Sequence, residues 1–156
     1  MTNSSLNILL VEDNQDDATL FRMALDKAQV PARLQNVCDG EEAIAYLKGE
    51  GKYRDRALHP LADLILLDLN MPRLNGFEVL KWIRNDETFK QLIVHVLTAS
   101  CRDVDVQRAY DLWANSYIVK PSRLDELVRF IGALIASHGF VCLPKMPVRP
   151  PEQTAG

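Results

Sequence analysis

Five side chains with reactive or charged groups follow short apolar runs of the chain. Glu12 and Asp13 follow the first run, Asp68 follows a later one, and Thr98 and Lys120 end or follow two more. If these runs are parallel strands of one sheet, the five side chains lie at the same edge of that sheet. An aspartate carboxylate there could attack a phosphoryl group and form an acyl phosphate, provided that positive charge neutralises the transferring oxygens. We expect Lys120 to supply part of that charge, and the Thr98 hydroxyl to donate to a phosphoryl oxygen.

The three carboxylates predict a metal site. Carboxylates that converge within a few ångströms repel one another, by roughly 1 to 4 kcal/mol per pair at ~4 Å, so a cation is needed. All-oxygen ligands favour Mg²⁺, with Mn²⁺ as a substitute. We expect Asp13 and Asp68 to be its direct ligands.

Each of these residues also has an ordinary structural explanation. Glu12 and Asp13 could cap the first helix, as acidic residues often do. Asp68 could simply begin a turn, while Thr98 could be a strand-end hydroxyl and Lys120 a solvated charge. Their joint placement at the strand ends of one sheet favours the functional interpretation.

Five short apolar runs predict strands. They are Ile8–Val11, Arg33–Val37, Leu64–Leu67, Ile93–Leu97 and Tyr117–Val119. Apolar side chains with helical periodicity lie between and after them. These helical segments are Ala18–Ala28, Glu41–Lys48, Val79–Ile83, Val104–Leu112 and Leu124–Ile135.

The alternation predicts an α/β fold with a doubly wound, five-stranded parallel sheet, because runs that are apolar on both faces suit a sheet covered by helices. Residues 49–60 are polar and predict an exposed loop. The helical period stops after Ser137. We therefore expect a tail over residues 1–5, one domain over 6–137, and an extension over 138–156 whose proline-rich end is extended or disordered.

Composition narrows the class of protein. The chain has 156 residues, 47% of them hydrophobic, and a formal net charge of −3 without blocks of like charge, which argues against direct nucleic-acid or membrane partners. Its three cysteines lack the paired spacing of a zinc site. The first residues have no basic segment before a short apolar stretch, so we expect a cytoplasmic protein.

The motifs ILLVEDN, LILLDLNMPRLNGFEVLKWIR, VLTAS and YIVKP resemble the response-regulator receiver family, which has a flavodoxin-like (βα)5 fold. The resemblance implies that Asp68 is the phospho-acceptor, Glu12 and Asp13 the acidic pair, and Asn70 a metal ligand through its backbone carbonyl. It also makes Thr98 the switch hydroxyl, Lys120 the pocket lysine and Tyr117 the switch aromatic. A cis peptide bond before Pro121 is a further implication.

Two positions depart from the family pattern. Trp113 stands where receivers often have glycine at the end of a helix, which indicates either a different helix end or a strained one, unless the ring simply packs against the fifth strand. Ser122 follows the Lys-Pro pair where an apolar residue is frequent, and it could cap the last helix.

The chain also resembles the small regulators paired with bacterial and cyanobacterial phytochrome kinases. The resemblance lies in the long 49–60 connection, the LKWIRND sequence and the lack of an output domain. This resemblance implies a sensor histidine kinase partner, and the regulator would catalyse only its own phosphorylation and dephosphorylation. We expect a homodimer through the fourth helix, fifth strand and fifth helix, or through an apolar arm at residues 138–146, which could instead fold back on its own domain.

Three other functions fit the sequence less well. A receiver-like adaptor that works without phosphorylation would not need the intact set of acidic, hydroxyl and lysine residues. A phosphatase of the haloacid-dehalogenase kind needs an acid two residues after its nucleophile, where this chain has Asn70. A dinucleotide-binding enzyme needs a G-x-G-x-x-G turn after the first strand, where Glu12, Asp13 and Asn14 stand.

Overall fold

The computed structural model describes residues 5–139 and 143, and within them five parallel strands form one sheet. The strands are β1 Leu6–Val11, β2 Ala32–Val37, β3 Leu64–Leu67, β4 Ile93–Thr98 and β5 Ser116–Val119. Their order in the sheet is β2-β1-β3-β4-β5. The predicted doubly wound, five-stranded parallel sheet is confirmed.

Helices follow the strands and cover both faces of the sheet. They are α1 Gln15–Ala28, α2 Gly40–Lys48, α3 Gly76–Asn85, α4 Asp103–Asp111 and α5 Leu124–His138. One core lies between the sheet and α1 and α5, with Phe21 and Ile131 at its centre. The other contains Tyr46 of α2, Leu80 of α3 and Ala109 of α4. The central strand β3 is buried at every position, and most residues of its neighbours β1 and β4 are buried, as a doubly covered sheet requires.

Three helices begin with a side-chain cap. Asn14 accepts from the Asp17 amide, Asp39 caps α2, and Asn75 caps α3 in a reciprocal pair with Glu78. The cap of α1 is therefore Asn14, and the alternative role of Glu12 and Asp13 as its caps is wrong.

The last helix starts without the cap that was considered for it. Its N-cap residue is Arg123, which makes no side-chain capping bond, so Ser122 does not cap α5. All peptide bonds among the described residues are trans, and the implied cis bond before Pro121 is a wrong prediction. The trans form is the intrinsic preference of an X-Pro bond, by about 0.5 to 1 kcal/mol.

The 49–60 connection is more ordered than its polar composition predicts. It contains a 3₁₀ helix, Gly51–Tyr53, and Tyr53 is buried. The rings of Tyr46, Tyr53 and His59 pack together at tilted and perpendicular angles. Arg56 donates to the carbonyls of Tyr46 and Leu47 at the end of α2. The segment is therefore not simply an exposed loop, as predicted, because aromatic packing and the Arg56 hydrogen bonds to the end of α2 fix its middle.

A strained turn joins α4 to β5. Trp113 has a φ of 65°, in the left-handed region that favours glycine, and its side chain is 76% exposed. Arg84 of α3 holds this turn by donating to the Trp113 carbonyl and to the Asn115 side chain. Of the alternatives for Trp113, the structure shows the strained helix end and contradicts packing against β5.

The tail and extension are mostly outside the described residues. Residues 1–4, 140–142 and 144–156 are among those not described, so the predictions about the tail, the arm and its proline-rich end remain predictions. The helix α5 reaches His138, one residue beyond the predicted domain end. Within the described ranges, no helix combines the length and apolarity needed to cross a bilayer.

Candidate functional site

Parallel pairing brings the ends of four strands to one edge of the sheet. Val11 of β1 pairs with Leu67 of β3, and Thr98 of β4 pairs with Val119 of β5. The residues after these positions therefore emerge side by side. The edge collects all five side chains that the sequence singled out.

Three carboxylates meet at the middle of this edge. Glu12, Asp13 and Asp68 each offer an oxygen, and these oxygens lie within 4.8 Å of one another. Glu12 is 2% exposed and Asp68 5%. Burial raises the pKa of Glu12 to about 7; the Lys120 hydrogen bond opposes this rise and the nearby Asp68 charge adds to it. The all-oxygen donor set fits a hard divalent cation such as Mg²⁺.

Lys120 is the cation that the chain itself places among these carboxylates. Its Nζ lies 2.7 Å from Glu12 Oε2, 3.0 Å from Asp17 Oδ2 and 3.5 Å from Asp68 Oδ2. Burial alone would lower the pKa of the ammonium group, but its hydrogen bonds to Glu12 and Asp17 raise it above the ordinary lysine value. Lys120 is therefore held as a positive charge next to the candidate acceptor.

Asp17 is the site residue that the sequence reasoning missed. It lies in the first turn of α1, where its backbone amide donates to the Asn14 cap. The sequence contains one signal for this role: Asp17 lies only four residues after Asp13, and the first turn of a helix that follows β1 lies at the same sheet edge.

A tight approach of α3 fixes the turn after Asp68. A Cβ atom at Gly76 would lie only 2.2 Å from the Asp68 carbonyl oxygen, so only glycine fits there. The Gly76 amide donates to the Leu69 carbonyl. The Asn70 amide approaches Asp68 Oδ1 at 3.4 Å, and the Asn70 side chain is exposed.

The two predicted switch residues meet in the loop between β4 and α4. Thr98 is fully buried, and its hydroxyl oxygen lies 3.5 Å from the Ser100 amide. The Tyr117 hydroxyl donates to the Ser100 carbonyl at 2.9 Å, so its ring is turned toward this loop. Burial raises the pKa of Tyr117. Ser100 thus connects the end of β4 to the aromatic side chain of β5.

Residues 8–132 match the response regulator receiver domain family. The response regulator Rcp1 of Synechocystis is 37% identical over 127 residues, which are 81% of this chain and 84% of Rcp1. The fold is similar to RPA3017, a response regulator in red light signaling of R. palustris, with a TM-score of 0.85 and 33% identity over 90% of this chain and 99% of that one. It is also similar to the phosphorylated cyanobacterial phytochrome response regulator RcpA, with a TM-score of 0.81, 39% identity and the same two coverages.

A metal-bound relative is among the similar solved structures. A Mn²⁺-bound form of Rcp1 matches with a TM-score of 0.78 and 35% identity over 90% of this chain and 99% of that one. The family match alone spans most of the chain, from β1 into α5. This chain therefore belongs to the response-regulator receiver family.

Proposed function

We propose that this chain is a single-domain response regulator that accepts a phosphoryl group on Asp68 from a sensor histidine kinase, in a Mg²⁺-dependent reaction. The main support is the position of the Lys120 ammonium group, 3.5 Å from the Asp68 carboxylate, at the sheet edge that also holds Glu12 and Asp13. A buried aspartate with a cation on one side and a cluster of ligand oxygens on the other suits phosphoryl transfer. The match covers 99% of the RPA3017 chain, which supports a regulator of this size.

In the proposed transfer, an Asp68 carboxylate oxygen forms the new bond to phosphorus. The phosphorus–nitrogen bond to the donor histidine breaks, and the imidazole keeps its electron pair and takes up a proton. Lys120 neutralises a phosphoryl oxygen during this exchange. When bound by Glu12, Asp13, Asp68 and the Asn70 carbonyl, Mg²⁺ would neutralise the other oxygens. Attack of water on phosphorus, opposite the bond to Asp68, would break that phosphorus–oxygen bond, release phosphate and restore the Asp68 carboxylate. The chain would then catalyse only its own phosphorylation and dephosphorylation.

The signal would pass from Thr98 to Tyr117. A phosphoryl oxygen on Asp68 gives the Thr98 hydroxyl a hydrogen-bond acceptor that the free protein lacks, and this differential contact can shift a conformational equilibrium. Movement of Thr98 would shift Ser100, whose carbonyl accepts from the Tyr117 hydroxyl. Tyr117 lies on β5 at the border of the exposed surface, where a partner would detect the change.

The acetyl phosphate reaction tests this proposal. Incubation with acetyl phosphate and Mg²⁺ should add one phosphoryl mass in intact mass spectra, and EDTA should abolish the addition. Asp68→Asn should stay unmodified, whereas Asp111→Asn, which changes an exposed aspartate of α4, should react like the wild type. A folded, Mg²⁺-binding protein that gains no mass would favour the adaptor that works without phosphorylation.

The partner kinase is proposed to be of the phytochrome type. The support is that similar solved structures carry the descriptions red light signaling and phytochrome response regulator. Phosphotransfer from a purified, phosphorylated phytochrome kinase should be faster than from a kinase of an unrelated pathway at equal concentration. Equal rates from both kinases would count against this partner.

A homodimer through α4, β5 and α5 is proposed as the output surface. Val104, Tyr110, Trp113 and Val119 are large apolar side chains that are exposed on α4, on β5 and on the turn between them. Clustered exposed apolar groups mark interaction surfaces. Val119→Lys should shift the protein to a monomer in sedimentation, whereas Leu58→Lys, an exposed leucine outside this surface, should not. If deletion of residues 139–156 leaves the dimer intact, the C-terminal arm does not cause it.

A further inference from the structure

The Lys120 ammonium group is shared unequally among three carboxylates. Its distance to the candidate acceptor Asp68, 3.5 Å, is the longest of the three, and Asp17 is half an ångström closer at 3.0 Å. Only 18% of the Lys120 side chain is exposed, so its ion pairs are partly shielded from water. The resting arrangement therefore favours contacts of Lys120 with residues other than the acceptor.

Asp17 differs from the other carboxylates in position and environment. It comes from α1 instead of a strand end, and its side chain is 45% exposed. It is outside the group of three carboxylates whose oxygens converge for a metal ion. Among the described residues, the polar contact of its carboxylate is the ion pair with Lys120. Asp17 therefore acts on the site through Lys120.

We propose that Asp17 is a positioning residue that holds the Lys120 ammonium group back from Asp68 in the unphosphorylated protein. The inference rests on the proposed function, because it concerns the state of the acceptor pocket before the phosphoryl group arrives. A phosphoryl group brings a charge of about −1.5 to −2 and strong acceptor oxygens. Lys120 must then give up Asp17 to pair with these oxygens. Asp17 thus opposes the phosphorylated state and limits its stability.

The ion pair between Asp17 and Lys120 borders a small cavity, whose lining also includes Phe21 and Leu97. The Asp17 backbone stays in place because its amide donates to the Asn14 cap, so only the ion pair is exchanged.

Beryllofluoride binding in the presence of saturating Mg²⁺ tests the inference, because this ion imitates a phosphoryl group without turnover. The affinities of the wild type, Asp17→Asn and Asp16→Asn would be measured by titration calorimetry in about 0.5 M salt, which screens long-range charge effects. Asp16 is a matched control, since it is the exposed neighbour in the same helical turn and carries the same charge. Asp17→Ala serves as a second variant, because it has no side-chain amide that could replace the carboxylate as a partner of Lys120.

Both Asp17 variants should bind beryllofluoride about fivefold more tightly than the wild type, the upper range for a partly exposed ion pair. Asp16→Asn should bind like the wild type. Damage to the fold would weaken binding, so tighter binding cannot come from a merely structural role. Unchanged or weaker binding by the Asp17 variants would overturn the inference and leave the proposed function intact. If the wild type itself fails to bind, the proposed function fails and the inference falls with it.

Discussion

His95 of β4 should make the protein sensitive to acid. Its Nδ1 is paired with the Ser116 hydroxyl, its Nε2 is buried without a partner, and the ring of His138 packs against it edge to face. Burial, and to a lesser degree the His138 charge, lower the pKa of His95 from 6.5 to about 4. The imidazole is therefore neutral in the folded protein under conditions where it is charged in the unfolded chain.

The sign and size of the effect follow from linkage. Between the two pKa values the unfolded chain binds more protons at His95 than the folded protein does, so stability is lost as the pH falls. The full difference corresponds to about 3 kcal/mol, of which about 2 kcal/mol is lost between about pH 7 and about pH 5. Glu12 contributes in the opposite direction over a similar range, because its raised pKa favours the folded state as the pH falls. The pH dependence of the wild-type unfolding free energy alone therefore does not isolate the contribution of His95.

The assay compares His95→Asn with the wild type by urea unfolding across this pH range. Asparagine keeps a polar group near Ser116 but does not titrate, so the variant should gain about 2 kcal/mol relative to the wild type between about pH 7 and about pH 5. His138→Asn is the control, and it should keep most of the wild-type slope because burial is the larger cause of the lowered pKa. A constant difference between His95→Asn and the wild type at all pH values would refute the reasoning.

Three further predictions concern a tight contact, a strained turn and the metal site. Gly76→Ala should lower the free energy of unfolding by about 1 to 3 kcal/mol and slow phosphorylation, because its Cβ would collide with the Asp68 carbonyl. Gly132→Ala on α5, where a Cβ meets open space, should be neutral or slightly stabilising. Equal effects of the two substitutions would contradict the close approach at Gly76. Trp113→Gly should be about 1 to 2 kcal/mol more stable in urea unfolding than Trp113→Ala, because glycine tolerates the left-handed backbone, and a more stable alanine variant would disprove the strain. The raised pKa of Glu12 means that the metal-free protein loses stability as the pH rises from 4.5 to about 7. Mg²⁺ should therefore raise the thermal midpoint of unfolding more at about pH 8 than at about pH 5. Equal shifts at the two pH values would count against this prediction.

The fold was predictable because its strands are short, the central ones are apolar on both faces, and segments with helical periodicity separate them regularly. The position of Asp68, Thr98 and Lys120 at strand ends was enough to bring them together, since parallel strands end at a common edge. The acidic cluster follows from the same rule. These features depend on the direction of the strands and not on the details of side-chain packing.

Other features depend on contacts between distant residues and could not be read from local patterns. The 49–60 segment is polar, yet Tyr53 is buried because Tyr46 and His59 pack around it. The turn at Trp113 is held by Arg84, which is 29 residues away. Asp17 belongs to the pocket because Lys120, 103 residues further on, reaches it. Periodicity describes one element at a time and gives no information about such pairs.

Chemical mapping of the phosphorylated residue tests the central claim most directly. Borohydride reduces an aspartyl phosphate to homoserine, so peptide mass spectra after acetyl phosphate, Mg²⁺ and borohydride identify the modified aspartate. We predict homoserine in the peptide that contains Asp68, and none there when Mg²⁺ is omitted. Modification at another residue instead, or none in a protein that binds Mg²⁺, would contradict the assignment of Asp68 as the phospho-acceptor.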